Sequence, residues 1–329
     1  MVTLNEIAQR AGVAKSTVSR FLNNGSVSEK TRIKIQEIID ETGYVPNQFA
    51  QSLKAQRSNM IGVVLPRFDS PSTNQVLKGI DELAYEKGYQ LVLTNSNLDS
   101  QREKENIALL ERQKVSGIIW IASFFDDAMM ELVKNLQVPI LIIGQKIEGV
   151  PCLVHQDYEA GVQIAEHALA LGHRDLLYVG VTQDDNAVGV LRRDGFIETA
   201  SQARARVTVI ETDFSRKVAY EQALNYLPEL RASYIAAATD QIAIGIANAA
   251  QELGLSIPAD FSLSGFGGYS ETEYAYPRIT TVDYPFYEMG QRSLELLEEL
   301  IRETPIPMVH TMANKLHVKR STQNMKAKE

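Results

Sequence analysis

The sequence is poor in the residues on which several common kinds of protein depend. It has one cysteine, Cys152, so an internal disulfide is impossible and a thiolate metal cluster cannot form within one chain. No apolar run approaches the ~20 residues of a transmembrane helix. The opening residues MVTLNEIAQR lack the apolar core of a secretory signal, so we expect a cytoplasmic protein with no membrane partner.

The chain also lacks the sequence motifs of common enzyme classes. G-x-S-x-G, H-E-x-x-H, G-x-x-x-x-G-K-[ST] and G-x-G-x-x-G are all missing. The five histidines show no paired metal-ligand spacing, and we expect surface or capping roles for His155, His167, His173, His310 and His317. The sequence therefore predicts a protein that is not an enzyme and that uses no metal or other cofactor.

Charge is distributed unevenly along the chain. The formal net charge is −8, yet residues 1–57 carry eight Lys or Arg against five Asp or Glu, which leaves −11 for the remainder. A basic segment on an acidic protein indicates a polyanionic partner for that segment alone. Charge by itself leaves open the alternative of a solvated surface.

The basic segment has the spacing of short helices joined by a turn. Apolar residues recur at i, i+3, i+4 and i+7 from Leu4 to Ala11, with Thr3 as the natural N-cap and Gly12 as the end. A second helix begins near Lys15. This arrangement is a helix-turn-helix unit, whose second helix can enter the major groove of DNA. A packing module with a polar face is the alternative.

A third helix is predicted to brace the first two. It follows SVSEKTR with Ser28 as its N-cap and ends at Gly43, before Pro46. Its expected buried residues are Ile33, Ile35, Ile38 and Ile39. On the second helix, Arg20 can contact a guanine edge through two hydrogen bonds, and its polar neighbours can contact bases or phosphates.

The stretches VTLNEIAQRAGVAKSTVSRFLNN, VSEKTRIKI and GYVPNQFAQSL closely resemble the DNA-binding head of the lactose/galactose repressor family of bacterial transcription regulators. The resemblance implies a dimeric repressor on a near-palindromic DNA operator. By position it implies base contacts from Lys15, Ser16 and Arg20 and backbone contacts from Thr3, Thr17, Asn23 and Thr31. Leu4 and Ser19 complete the expected contacts within the head.

Residues 46–59, PNQFAQSLKAQRSN, suggest a short polar helix and a linker. In the family the matching segment is a hinge helix that folds on DNA and wedges a leucine into the minor groove. The resemblance implies that Leu53 is this wedge, with Asn47, Ala50 and Lys54 around it. A plain linker is the alternative.

From residue 60 to residue 285, ten short apolar runs alternate with helical stretches. This alternation is typical of parallel sheets built from βαβ units. We therefore predict a small all-α head (1–45), the hinge segment (46–59) and an α/β body (60–329) with two parallel-sheet lobes. We expect crossovers between the lobes near residues 158, 285 and 310. The resemblance agrees, because the family body is similar to periplasmic sugar-binding proteins. The tail lacks leucine heptads, so a homodimer is expected.

Polar and aromatic side chains follow the predicted strands, where ligands of open parallel sheets bind. Together they suit a polyhydroxylated ligand. The residues themselves predict Arg67, Asp69, Ser70, Trp120, Gln145, Asp157 and Asp240, and the resemblance adds Arg192, Phe214 and Phe286. Two alternatives stay open: helix capping by Asp157 and Asp240, and a structural ion pair between Arg67 and Asp69.

Two further features bear on the ligand. Gly267 stands where many sugar-responsive members hold an aspartate, and PRFDSPSTN resembles the corresponding segment of the trehalose-operon repressor, which senses a phosphorylated disaccharide. We therefore expect a repressor of a sugar-utilisation operon, controlled by a sugar or a sugar phosphate. The alternative is a global catabolite regulator of the same family, controlled by a phosphoprotein partner.

Overall fold

The computed structural model describes residues 2–22, 25–44, 58–122 and 125–325. The chain divides into two compact units, residues 1–59, which include the head (1–45), and residues 60–329 (the body). In its described part the head is helical, with α1 (Leu4–Ala11), α2 (Lys15–Leu22) and α3 (Glu29–Thr42).

The ends of the head helices follow from local side-chain chemistry. The Thr3 hydroxyl accepts a hydrogen bond from the Glu6 amide (3.3 Å), and the Thr3 amide donates to the Glu6 carboxylate (2.7 Å), which is a capping box. Gly12 takes the left-handed conformation, φ 65°, that ends α1. Ser28 caps α3 and Gly43 ends it. The predicted caps are therefore confirmed.

The head core is small and apolar. It consists of Ile7, Ala8, Ala11, Val18, Ile35 and Ile38. Ile33, predicted to be buried, is 52% exposed. Residues two apart lie on nearly opposite sides of a helix, so Ile33 cannot share the buried face with Ile35.

The body contains two six-stranded sheets. Its strands are β1 (Met60–Leu65), β2 (Gln90–Asn95), β3 (Gly117–Ile121), β4 (Ile140–Ile143), β5 (Cys152–His155), β6 (Asp175–Gly180), β7 (Arg206–Glu211), β8 (Tyr234–Ala237), β9 (Ser262–Gly267), β10 (Thr280–Asp283), β11 (Val309–Met312) and β12 (Lys315–His317). The first sheet has the order β11-β5-β4-β3-β1-β2 and the second β12-β10-β9-β8-β6-β7. Neighbouring strands are parallel except β12 and β10.

Helices cover these sheets. They are α4 (Pro71–Lys87), α5 (Ser100–Arg112), α6 (Asp127–Asn135), α7 (Asp157–Ala170), α8 (Arg192–Gln202), α9 (Arg216–Tyr226), α10 (Asp240–Glu252), α11 (Glu271–Tyr274) and α12 (Phe286–Ile301). A π-helical turn, Asn186–Leu191, leads into α8, and a 3-10 turn, Leu227–Glu229, follows α9. The predicted fold class, a helix-turn-helix head with a two-sheet α/β body, is confirmed.

The chain passes between the two sheets three times. It leaves the first sheet after β5, returns after β10 and crosses again between β11 and β12. Helix α12 packs on α4, β3 and β4, so it belongs with the first sheet. We call the first sheet with α4, α5, α6 and α12 the first lobe, and the second sheet with α7 to α11 the second lobe.

In the described part of the chain, none of the helices is both long and apolar enough to span a bilayer.

Candidate functional sites on the head and in the body cleft

Helix α2 presents a polar, cationic face. Ser16, Ser19 and Arg20 lie at i, i+3 and i+4, which places them on one side of the helix. Lys15, Ser16 and Arg20 are exposed, while Val18 is buried in the head core. This face therefore offers a guanidinium, an ammonium and hydroxyl groups to a partner.

The other predicted contact residues surround the ends of the helices. Thr3 is exposed and caps α1, Leu4 packs partly against the head core, and the Thr31 hydroxyl lies 2.8 Å from that of Ser28. Thr17 is half-buried. Five predicted contact residues lie outside the described part of the chain: Asn23, Asn47, Ala50, Leu53 and Lys54.

In the body, side chains from the two lobes meet at the carboxyl ends of the strands. Gln145, after β4, donates a hydrogen bond to Asp185 of the second lobe (Nε2–Oδ1 3.3 Å). The Arg67 guanidinium, after β1, lies 5.3 Å from the centre of the Phe214 ring. These contacts show that the predicted cleft residues Arg67, Gln145 and Phe214 line the boundary between the lobes.

Arg192 is held at this boundary by a buried network. Its Nε donates to Asp157 Oδ1 (2.7 Å) and its Nη1 to the Ala238 carbonyl (3.1 Å). Tyr284 donates to the same Asp157 oxygen (3.2 Å), and its ring lies 4.6 Å from the guanidinium. Burial disfavours the cation, but Tyr284 and Asp157 outweigh burial and raise the pKa of Arg192. Among the described residues these bonds occupy two of the five guanidinium N–H donors.

The alternative in which Asp157 and Asp240 cap helices is wrong. Gln156 occupies the N-cap position of α7, and Asp157 is the first residue of the helix. The cap of α10 is Thr239, whose hydroxyl accepts from the Ile242 amide (3.3 Å). Both carboxylates instead make tertiary contacts.

Asp240, predicted to face the ligand, is completely buried. It accepts hydrogen bonds from the Thr281 hydroxyl (2.6 Å) and the Tyr269 amide (2.9 Å). Burial raises the pKa of Asp240 to about 6, and these two hydrogen bonds oppose the rise. A Cβ at Gly267 would lie 2.9 Å from the Tyr269 ring and 3.1 Å from Asp240 Oδ2. Asp240 and Tyr269 thus fill the space that an aspartate at position 267 would need.

Trp120, predicted to be an effector-binding residue, is also completely buried. Its indole N–H donates to Glu103 Oε1 (2.6 Å), in the core between the first sheet and helices α5 and α6. Burial raises the pKa of Glu103 to about 7, against the effect of this hydrogen bond. Trp120 therefore has no ring face open to a ligand.

Arg67 and Ser70 lie at the start of α4. Arg67 Nε is 3.5 Å from Asp69 Oδ1, and the Asp69 side chain is 83% exposed. Ser70 is the N-cap of α4 and accepts from the Thr73 amide (3.4 Å). The Asp69 side of this ion pair is exposed to solvent, which weakens the pair, so Arg67 can exchange Asp69 for another anion.

An aromatic cluster occupies the crossovers between the lobes. Tyr284 and Phe286 are stacked (centroids 5.5 Å apart, interplanar angle 17°), and His155 stands edge-on to both, at 4.8 and 5.3 Å. Phe286 also contacts Tyr269 (6.1 Å). Phe286 was predicted, whereas His155, Tyr269 and Tyr284 were not.

The prediction that the histidines are surface or capping residues is wrong at His155, which is 8% exposed. His173 is 3% exposed, but it does belong to the C-terminal cap of α7, where its amide donates to the Ala168 carbonyl (3.1 Å). His155 is the last residue of β5, and the carboxyl-end rule that identified Arg67 would have found it.

Comparisons with known proteins show the family to which the chain belongs. The family model of bacterial regulatory proteins, lacI family, matches residues 3–47, and a periplasmic binding protein-like domain matches residues 165–322. The crystal structure of the lac repressor dimer bound to operator and the anti-inducer ONPF superposes with a TM-score of 0.92. It is 26% identical, covering 98% of this chain and 99% of that chain.

Curated relatives agree. The sucrose operon repressor of Staphylococcus xylosus is 36% identical over 311 residues, covering 93% of this chain and 96% of that protein. Catabolite control protein A of the same species is 28% identical, covering 93% and 94%. The resemblance drawn from the opening residues is confirmed, and the chain belongs to the lacI family of bacterial regulatory proteins, which are DNA-binding regulators of transcription.

Proposed function

We propose that this protein is a transcriptional repressor of a sugar-utilisation operon. It acts as a homodimer that binds double-stranded operator DNA in the cytoplasm, at the nucleoid. A sugar or sugar phosphate that binds in the body cleft controls its affinity for the operator. The observation that carries the proposal is the exposed face of α2. Lys15, Ser16 and Arg20 lie on this face, while Val18 of the same helix is buried in the head core. The 36% identity to a sucrose operon repressor supports the sugar-operon assignment.

On the operator, Arg20 is proposed to donate two hydrogen bonds to a guanine edge. A good bidentate pair discriminates against a wrong base by about 1–3 kcal/mol. Lys15 and Ser16 contact further bases, while Thr3, Thr17 and Thr31 contact the DNA backbone and set the orientation of the head.

Arg20→Ala tests the role of α2 in DNA binding. We expect operator affinity, measured by fluorescence anisotropy, to fall by about 10- to 100-fold, because the base-reading guanidinium is lost. Arg10→Ala is the matched control, since it removes one charge from the last turn of α1 and should weaken operator and random duplex alike. Equal losses for the two variants on both duplexes would contradict the assignment.

In the cleft, Arg192 is proposed to bind ligand hydroxyl groups, with Phe214 and Phe286 against the sugar faces. The proposed ligand is a phosphorylated disaccharide. Arg67 supplies a cation beside the N-terminus of α4, where Ser70 caps the helix, and helix N-termini favour anions. The phosphate then replaces Asp69 as the partner of Arg67.

Arg67→Ala distinguishes a phosphate ligand from a structural ion pair. Titration calorimetry with sucrose 6-phosphate, trehalose 6-phosphate, sucrose and trehalose should show a larger loss of affinity for the phosphorylated sugars, because only they pair with the guanidinium. Asp69→Asn is the control: it removes the competing carboxylate and should leave phosphate affinity equal or higher. Equal losses for both kinds of sugar in Arg67→Ala would exclude Arg67 as the phosphate ligand.

Ligand binding is proposed to act by shifting a population of body conformations. A ligand changes operator affinity only through different affinities for the two states, and a tenfold change requires about 1.4 kcal/mol of coupling. The contacts between Gln145 and Asp185 and between Arg67 and Phe214 lie where a ligand between the lobes would compete with them.

A second candidate is a global catabolite regulator controlled by a phosphoprotein, favoured by the 28% identity to catabolite control protein A. We rank it second, and the higher identity to the sucrose operon repressor supports that order. A phosphocarrier protein that binds the purified chain and raises its operator affinity, with no response to any sugar, would reverse this order.

A further inference from the structure

His155 is a buried histidine whose ring nitrogens have no partner among the described residues. The side chain ends β5 and is 8% exposed. The rings of Tyr284 and Phe286 contact the imidazole edge-on. Neither Nδ1 nor Nε2 has a hydrogen bond to a described residue, and both are buried from solvent.

The other well-buried histidine shows what a structural role requires. In His173, Nδ1 lies 2.8 Å from the Ser233 hydroxyl and Nε2 lies 3.0 Å from the Gln323 carbonyl. Leaving a buried donor or acceptor unpaired is unfavourable, because the group loses water and gains nothing. His155 carries this cost at both nitrogens, so the protein alone does not explain an imidazole at this position.

The surroundings indicate which chemical group would satisfy His155. Burial lowers the pKa of His155 to about 4, with Arg192 adding to the effect of burial and Asp157 opposing it. The ring is therefore neutral at physiological pH, with one N–H donor and one acceptor nitrogen. A hydroxyl group both donates and accepts, so it pairs with either nitrogen.

His155 also lies beside the groups proposed to bind the effector. Phe286, one of its two ring contacts, is a proposed wall of the cleft and is only partly buried. Asp157 and Arg192 act on its ring electrostatically from the second lobe. A sugar ring against Phe286 would thus bring hydroxyl groups to the edge of the imidazole.

We propose that His155 is a specificity-determining residue of the effector cleft, which hydrogen-bonds a hydroxyl group of the sugar. This inference rests on the proposed function, control by a sugar in the body cleft, and names a residue that recognises that sugar. This role explains a polar ring among aromatic neighbours, because the hydroxyl group pairs with an imidazole nitrogen that is otherwise unpaired.

The first experiment compares His155→Phe with His173→Phe in the full chain without sugar. Phenylalanine keeps the ring and removes both nitrogens. We expect thermal melting of His155→Phe at or above the wild-type temperature, and a melting temperature lower by several degrees for His173→Phe, which loses two buried hydrogen bonds. Equal destabilisation of the two variants would overturn the inference.

The second experiment measures sugar binding by titration calorimetry with sucrose 6-phosphate, trehalose 6-phosphate, sucrose and trehalose. We expect His155→Phe to bind the sugar that wild type prefers at least about tenfold more weakly. His155→Asn, which restores one donor and one acceptor, should recover part of the loss. Unchanged affinity in His155→Phe, or no recovery in His155→Asn, would overturn the role of His155 alone. Wild-type protein that binds none of these sugars would overturn the proposed disaccharide ligand, and this inference with it, whereas the operator-binding test of Arg20→Ala would stand separately.

Discussion

At the scale of single residues, Glu103 shows how burial alters a side chain's chemistry. Its Oε1 accepts the indole N–H of Trp120, whereas its Oε2 is buried without a partner among the described residues. Burial raises the pKa of Glu103 from 4.5 to about 7. The folded protein therefore holds this proton more tightly than the unfolded chain. The resulting stability is fully present below about pH 4.5 and is lost as the pH rises to about 7.

Glu103→Gln tests this linkage. The glutamine oxygen can still accept from Trp120, but it carries no charge at any pH. We expect the free energy of unfolding, measured by urea denaturation, to exceed that of wild type at pH 8 by up to about 3 kcal/mol. The difference should shrink toward pH 4.5.

The control is Glu105→Gln, on the exposed side of α5. The free energy of unfolding of this variant should change with pH as that of wild type does. A Glu103→Gln variant with the same slope between pH 5 and pH 7 would show that Glu103 does not titrate in this range.

At the scale of elements, close helix crossings place the cleft side chains. A Cβ at Gly195 of α8 would lie 2.1 Å from the Tyr158 carbonyl of α7, and a Cβ at Gly161 of α7 would lie 2.1 Å from the Arg192 carbonyl. Real Cβ atoms do not approach backbone this closely, so the two glycines allow the helix backbones to touch. This crossing brings Arg192 within reach of Asp157.

Gly195→Ala should therefore separate α8 from α7 and move Arg192. We expect a loss of about 1–3 kcal/mol in the free energy of unfolding from overpacking and several-fold weaker effector binding, measured by urea denaturation and calorimetry. Gly245→Ala makes a similar clash with the Arg216 carbonyl, 2.5 Å from the added Cβ, between α10 and α9. It should lose stability but bind effector as wild type does. Equal binding losses in both variants would show a general effect of destabilisation.

At the scale of the whole body, the hydrogen bond from Gln145 to Asp185 joins the two lobes across the cleft. Asp185 also accepts from the Val188 amide (2.9 Å) at the start of the π-helical turn before α8. A single hydrogen bond contributes about 0.5–1.5 kcal/mol net. Changing it is therefore expected to shift the proposed equilibrium between lobe arrangements by about 2- to 10-fold.

Gln145→Ala is expected to raise the population with separated lobes by that factor in the absence of sugar. Single-molecule energy transfer between dyes on introduced surface cysteines of the two lobes measures this population, and the native Cys152 is buried away from labelling. Gln101→Ala, which removes a hydrogen bond within α5, is the control. A distribution unchanged by Gln145→Ala would show that this contact does not hold the lobes.

Much of the architecture could be predicted from the sequence, and part of the site could as well. All ten predicted strands are present, whereas β11 and β12 were missed because VHTM and KLH are too short and mixed in polarity to stand out. Arg192 was proposed from its motif, and its guanidinium lies in the network with Asp157 and Tyr284. Trp120 and Asp240 were misplaced, because their position after or within a strand does not tell whether neighbouring elements cover them.

The sequence by itself determined the helix caps at Thr3, Gly12 and Ser28 and the alternation of strands and helices, because these depend on residues a few positions apart. Only the tertiary structure decided that Asp240 is buried beneath Tyr269, that Trp120 lies in the core and that His155 has no hydrogen-bond partner among the described residues. Burial, and with it the cost of an unpaired polar group, is set by segments that meet from distant parts of the chain.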